Sequence, residues 1–325
     1  MTYLTALGRR TWRLFLDLIK IMLPVMLAVK LAEDFGLVAW LAGAIAPAFG
    51  ITGLPPEAAL VWVSTALVGI YGGLGALLGL GLGLEGHISL SQGQLAALAA
   101  MMLFAHGLPM EQAIVRRAGA SFWFTALLRA ATALLYGSLV AHVSAATGWL
   151  AEPADLSRLA AHNSDAGAGS GEIGWGEWLL GAAESFALIG LIILGLLMLL
   201  DAMDRLGITR RFTQALGPLL RWSGLDDKLA PVTTLGVLLG LTYGGGLIIE
   251  QARNGDFTPR QLVPALCWLS LSHALIEDTL LLWLLGADIW VILVGRVILT
   301  LAIVAGLVWL LHRLPDRTVE RWFAA

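Results

Sequence analysis

Eight apolar runs recur along this chain: Leu18 to Leu31, Leu60 to Leu84, Leu95 to Phe104, Ser121 to Val143, Leu179 to Leu200, Val232 to Ile249, Gln261 to Leu285 and Ile289 to Leu311. A bilayer core of about 30 Å takes roughly 20 apolar residues of helix, and lipid leaves no open strand edge satisfied. The expected fold class is therefore an all-α polytopic membrane protein, with the lipid bilayer as its first partner. Composition agrees, since 58% of the 325 residues are hydrophobic and 13% charged, where soluble domains carry about a quarter charged. A net charge of -3, with arginines scattered over the loops, excludes nucleic acid as a partner. The single Cys267 lies inside an apolar run, so it forms no intrachain disulfide or thiolate metal centre and reads as a small core residue.

The chain also repeats itself. His106 and His273, Glu111 and Asp278, Gly119 and Gly286, Trp123 and Trp290, and Arg129 and Arg296 are each 167 positions apart. Upstream, Tyr71-Gly72-Gly73 matches Tyr243-Gly244-Gly245 at 172, and Gly36, Pro47 and Gly53 match Gly207, Pro218 and Gly224 at 171. This divides the chain into an amphipathic segment (1–17), a first repeat (18–146), a polar external linker (147–177), a second repeat (178–312) and a cytoplasmic tail (313–325). In the first segment Arg9, Arg10, Arg13 and Lys20 interleave with Trp12, Leu14, Phe15 and Leu18, which suits an uncleaved helix lying at headgroup level.

Charge sets the expected orientation. The connection from Asp34 to Glu57 has no Lys or Arg, whereas its counterpart from Asp204 to Lys228 carries Arg205, Arg210, Arg211, Arg221 and Lys228. Basic loops stay cytoplasmic, so equivalent loops are expected on opposite sides and both termini inside. Two inverted structural repeats with broken or re-entrant helices follow, with a site near the midplane where the halves meet.

Two kinds of feature mark that site. Each half has a glycine knot, at Tyr71, Gly72 and Gly73 and at Tyr243, Gly244, Gly245 and Gly246, where a helix break is expected. Close packing through small residues is the alternative. Each half then places ionisable residues in apolar chain: His106 and Glu111 in "LFAHGLPMEQ", and His273, Glu277 and Asp278 in "LSLSHALIEDT". Buried charge is costly in a membrane, which makes these residues candidates for binding. If the helix continues, His273 and Glu277 share a face. Arg129 and Arg296, ten residues beyond the shared glycines, read either as clamps for an anionic substrate or as partners in a salt bridge, for example Arg129 with Asp278 or Glu277. Trp123 and Trp290 suit the interfacial belt. The chain has no P-loop, nucleotide fold, nucleophile constellation or Cys/His zinc spacing, so neither an enzyme nor a cofactor is expected.

The stretch "GGGLIIEQARNGDFTPRQLVPALCWLSLSHALIEDTLLLWLLGAD" resembles the nucleoside-recognition or Gate domain, a family that includes spore maturation proteins A and B, with related modules in ferrous-iron transporter B. The shared layout is a small-residue break, a charged turn ("DFTPRQL"), an apolar helix and a polar turn before another apolar run. Where many Gate proteins have an Asn-Asn-Ser-Gly turn, this chain has "SHALIEDT" and "AHGLPMEQ". The resemblance implies a bacterial inner-membrane transporter or permease for a nucleoside-like small polar solute, working by alternating access. Two alternatives remain open at this point. One is a divalent metal-ion transporter using His106, His273, Glu277 and Asp278, with Glu111 as a further candidate. The other is a non-transporting assembly or signalling protein. Homo-oligomerisation is compatible with all three.

Overall fold

The computed structural model describes residues 34–80, 89–154, 175–225 and 257–325, with further positions before and between these stretches. The named elements among them are helices. The first half contains α1 (Leu37–Phe49), a 3-10 turn (Gly50–Thr52), α2 (Ala58–Val68), α3 (Ile70–Gly79), α4 (Gln92–Phe104), α5 (Leu108–Arg117) and α6 (Phe122–Thr147). The second contains α7 (Trp175–Arg205), α8 (Ile208–Trp222), α9 (Pro259–Ser272), α10 (Glu277–Leu284), a π-helical turn (Trp290–Gly295) running into α11 (Arg296–Arg313), and α12 (Asp316–Trp322). Among the described residues, four stretches are long and apolar enough to cross a membrane: Gln92–Arg117, Phe122–Thr147, Pro259–Leu284 and Trp290–Arg313. The chain is an all-α polytopic membrane protein.

Burial follows from that setting. Nearly all of α4, and α9 from Val263 onward, are inside, whereas α6 and α11 turn Leu127, Leu135, Leu139, Ile298 and Trp309 outward. Apolar side chains on an outer surface are at home in lipid. Trp123 and Trp290 are exposed, 79% and 67%, as belt residues should be.

Several positions 167 apart adopt the same local structure. Ser91 and Thr258 each open a helix with a capping box, closed by Gln94 and Gln261. Gly119 and Gly286 both have positive φ, 113° and 97°. At 171, Gly36 and Gly207 precede α1 and α8 at φ 68° and 69°, and Pro47 and Pro218 lie inside those helices. The ends of the long helices are interleaved. Ser121 N–H, at the start of α6, donates to Phe323 O beyond α11 (2.8 Å). Arg260, at the start of α9, holds Leu311 O, Leu314 O (2.6 Å) and Asp316 (2.7 Å) at the end of α11. At the other end, Gln92 N–H donates to Glu152 O and Ala154 N–H to Leu90 O, both 2.8 Å, so α4 starts where α6 finishes.

The first glycine break falls earlier than the sequence suggests. Tyr71, Gly72 and Gly73 lie within α3, and the interruption is at Gly69, whose φ of 114° and ψ of 179° are open essentially to glycine alone. Gly72 and Gly73 serve packing instead: a Cβ on Gly73 would lie 1.8 Å from Thr65 Oγ1 and 2.9 Å from Met102 Cε. Tyr243, Gly244, Gly245 and Gly246 lie outside the described residues. Overpacking of this kind costs about 1–3 kcal/mol, so Gly73→Leu is expected to lower the melting temperature in detergent. Gly195→Leu, at a position with nothing within 4 Å, should leave it unchanged.

Candidate functional site

Both motif helices break at their histidine. α4 ends at Phe104 and α5 begins at Leu108, and the chain passes through Gly107 at φ 54°. α9 ends at Ser272, His273 is extended, and Ala274 takes φ 47° before α10 begins. In the first half Gly107 and Pro109 account for the interruption. The second half has neither residue there, and Ala274 bears a left-handed conformation that costs about 1–2 kcal/mol. The helix therefore does not continue from His273 to Glu277, and the shared face expected from their spacing is not formed.

Two arginines make the breaks tolerable in an apolar setting. Arg129 on α6 donates through Nε to Phe104 O (2.7 Å) and through Nη2 to His106 O (3.0 Å). Arg296 repeats the arrangement, with Nε to Leu271 O (2.9 Å) and Nη2 to His273 O (3.2 Å), and Nη2 also reaches Leu103 O of the first half (3.2 Å). Carbonyls stranded at a helix break in lipid need such donors, and a guanidinium at a helix C-terminus also meets its partial negative charge. Sequence offered clamp or salt bridge; the geometry adds a cap on the broken helices. The salt bridge is also local. Arg129 Nη1 binds Glu111 Oε2 at 2.5 Å, within its own half, and not Asp278 or Glu277.

The two histidine motifs converge. The imidazole centroids of His106 and His273 are 4.7 Å apart. Glu111 lies between them, its Oε1 3.1 Å from His106 Nδ1 and 3.1 Å from His273 Nε2. Asp278 Oδ2 stands 3.6 Å from His106 Nε2. His273 Nδ1 is 2.8 Å from Leu269 O, and because a carbonyl only accepts, that nitrogen carries the proton and Nε2 faces Glu111 with its remaining valence. His106, Glu111, His273, Arg129 and Arg296 are all buried, while the Asp278 side chain keeps 17% exposure. Glu277 is half-buried, beyond the break. Tyr71, Gly72 and Gly73 are joined to the centre indirectly: Gly107 N–H donates to Thr65 O (2.9 Å), one turn before the Gly69 break.

The halves are not equal at this centre. Glu111 reaches its arginine, but its counterpart Asp278 is one methylene shorter, and Arg296 Nη1 is buried with no hydrogen-bond partner among the described residues. His106 Nε2, Gln112, Ser270 Oγ and Thr279 Oγ1 are buried and unpaired in the same way. Among the described residues, the group able to hold a metal ion is His106, Glu111 and His273, whose ligand atoms lie within 4.8 Å of one another. Glu277 is not in it, and Asp278 stands beside it. Sequence missed the carbonyls of Phe104, Leu269 and Leu271, which carry no side-chain signal; the arginine repeated at matched positions was the only trace of them.

The chain is similar to a bacterial membrane protein. That relative, from Bacillus subtilis (strain 168), carries the name "Uncharacterized membrane protein YvoD" and is 27% identical over 291 residues, 87% of this chain and 88% of its own length. The likeness thus spans both halves and the connection between them. No family model matches the chain. No solved structure matches it.

Proposed function

We propose that this protein is a transporter or permease of the bacterial cell membrane, not an enzyme, and that it moves a small polar solute by alternating access around the paired histidine motifs. The observation that carries the reading is the meeting of His106 and His273, 4.7 Å apart, from matched positions of the two halves. A site shared between two repeats at a pair of broken helices is the usual construction of secondary transporters. The buried unpaired atoms of Gln112, Ser270, Thr279 and Arg296 around the same motifs suit a polar ligand. The Gate resemblance makes nucleoside-like solutes the first candidates.

The halves are inverted in this reading. Support comes from the start of α6 lying beside the chain that follows α11, and from the opposite Lys and Arg content of equivalent loops. Ile51 and Trp222 are equivalent, at 171, and both exposed, 74% and 74%. A membrane-impermeant thiol reagent applied to whole cells is expected to label Ile51→Cys and to spare Trp222→Cys until the cells are opened. Labelling of both from outside would end the inverted reading.

Transport itself is tested by uptake into reconstituted vesicles from a panel of radiolabelled nucleosides, other small polar solutes and divalent cations. Flux of at least one panel member above protein-free vesicles is expected, and none across the panel would contradict the proposal. One observation favours a second reading. The centre is occluded, with both arginines fully buried and His273 at 2% exposure, as a rigid core for a membrane assembly or signalling protein would also be. Absence of flux together with co-purification of a partner would favour that role.

A further inference from the structure

Two of the groups around Glu111 Oε1, His273 and Glu111 itself, are held on their far side, and His106 has a carboxylate nearby. His273 presents Nε2 inward while Nδ1 is held by Leu269 O at 2.8 Å. Glu111 presents Oε1 while Oε2 is held by Arg129 at 2.5 Å. His106 presents Nδ1, and its Nε2 looks toward Asp278 Oδ2 at 3.6 Å. Histidine ligands of metals are almost always oriented this way, by a carbonyl or carboxylate on the second ring nitrogen.

We propose that His106, Glu111 and His273 bind one divalent transition-metal ion and that this ion is the cargo of the central site. The binding rests on geometry; the ion's role as cargo rests on the transport reading above, with the ion in place of the nucleoside-like solute. Ligands on an ion at roughly 2.0–2.2 Å lie about 3.0–3.5 Å from one another, and Glu111 Oε1 is 3.1 Å from each histidine nitrogen. Two imidazoles and one carboxylate suit Zn, Fe or Mn over Ca or Mg. Three protein ligands leave a coordination position open, which suits an ion that must depart again.

The ligand set differs from the one that sequence spacing suggests. Glu277 is absent because the helix breaks after His273, and Asp278 stands 3.6 Å from His106 Nε2 without ligating. Arg129 and Arg296 sit at the C-termini of α4 and α9, and Glu111, Glu277 and Asp278 in the first turns of α5 and α10, so each charge meets the helix end of opposite sign. A proton shared along the same contacts is the competing occupant.

The test titrates chelator-stripped, purified full-length protein in detergent with Zn2+, Mn2+ or Co2+ alone, by calorimetry and, for Co2+, by absorption. One ion per chain is expected, with Co2+ bands of low-coordinate nitrogen and oxygen ligation. Affinity should fall about 100-fold or more in His273→Ala and His106→Ala, and about 10–100-fold in Asp278→Asn, which keeps the ligands and alters only their support. Should the alanine variants fail to fold, the wild-type Co2+ spectrum and Asp278→Asn still decide the matter. No stoichiometric uptake of any of the three ions by wild-type protein, or undiminished affinity in folded His273→Ala, would overturn the site. Flux of an organic solute without metal binding would remove the metal site and leave the transport reading standing. Binding without flux would uphold the site and contradict transport.

Discussion

Replacing Arg129 with leucine is expected to destabilise the protein by about 3–5 kcal/mol, the cost of removing one partner from a buried ion pair. The side chain is fully buried and makes three bonds, to Phe104 O, His106 O and Glu111 Oε2. Its loss leaves two carbonyls of a broken helix and the Oε2 of Glu111 without this donor, in surroundings where water cannot take over. Arg129→Lys should recover only part, because one ammonium cannot span the three acceptors that a planar guanidinium reaches. Arg296→Leu should cost less, since Arg296 holds carbonyls and no bonded acid, and its Nη1 is already unpartnered among the described residues. Denaturant unfolding in detergent measures all three. Equal stability of Arg129→Leu and wild type would mean that the cap on the first break contributes nothing.

Glu111→Gln is expected to remove central-site function by at least 100-fold, read as uptake or ligand affinity, whereas Glu277→Gln should change it less than threefold. Glu111 contacts His106, His273 and Arg129 at once, and among the described acids it touches groups from both halves at hydrogen-bond distance. Glutamine has nearly the same shape but no charge, and it offers one acceptor oxygen where Glu111 sets two, Oε2 on Arg129 and Oε1 between the histidines. Loss of a charge-assisted contact of this kind costs about 1.5–3 kcal/mol per bond, and here three bonds converge. Glu277 lies past the helix break and is not a member of the metal-capable group. Comparable losses in the two variants would restore the assignment that spacing alone suggests.

The contrast between those two acids shows where the sequence could be read and where it could not. Hydropathy sufficed for the spans that begin at Gln92, Phe122, Pro259 and Trp290, and recurrence at 167 for the matched motifs, because both are properties of side chains in order. His106, Glu111, His273 and Asp278 were legible because an ionisable group in apolar chain is costly unless it pairs or binds. Glu277 was misplaced because "SHALIEDT" contains no glycine or proline to announce a break. The break at Ala274 is held by Arg296, twenty-two positions away in sequence, so the local signal is absent and the tertiary one decides. The same holds for Gly72 and Gly73. A glycine cluster indicates either a bend or a close approach, and only the positions of Val68 beside Gly72, and of Thr65 and Met102 beside Gly73, show that these two are of the second kind, with the bend at Gly69. The role of Arg129 and Arg296 was hidden because their main acceptors are backbone carbonyls, present at every residue and marked at none.

One cross-linking measurement directly tests whether the two motifs meet between opposed halves. In a Cys267→Ser background with a protease site placed in the linker between residues 157 and 174, His106→Cys and His273→Cys are combined and treated with mercuric ion, then the linker is cut and the halves are run under denaturing, thiol-free conditions. The imidazoles they replace are 4.7 Å apart, so the halves should remain joined. The pair Trp123→Cys and Trp290→Cys, equivalent in sequence and placed at opposite ends of the bundle in the inverted reading, should separate. Halves that separate with the histidine pair and stay joined with the tryptophan pair would show that the motifs do not share a centre and that the repeats run side by side in the same direction.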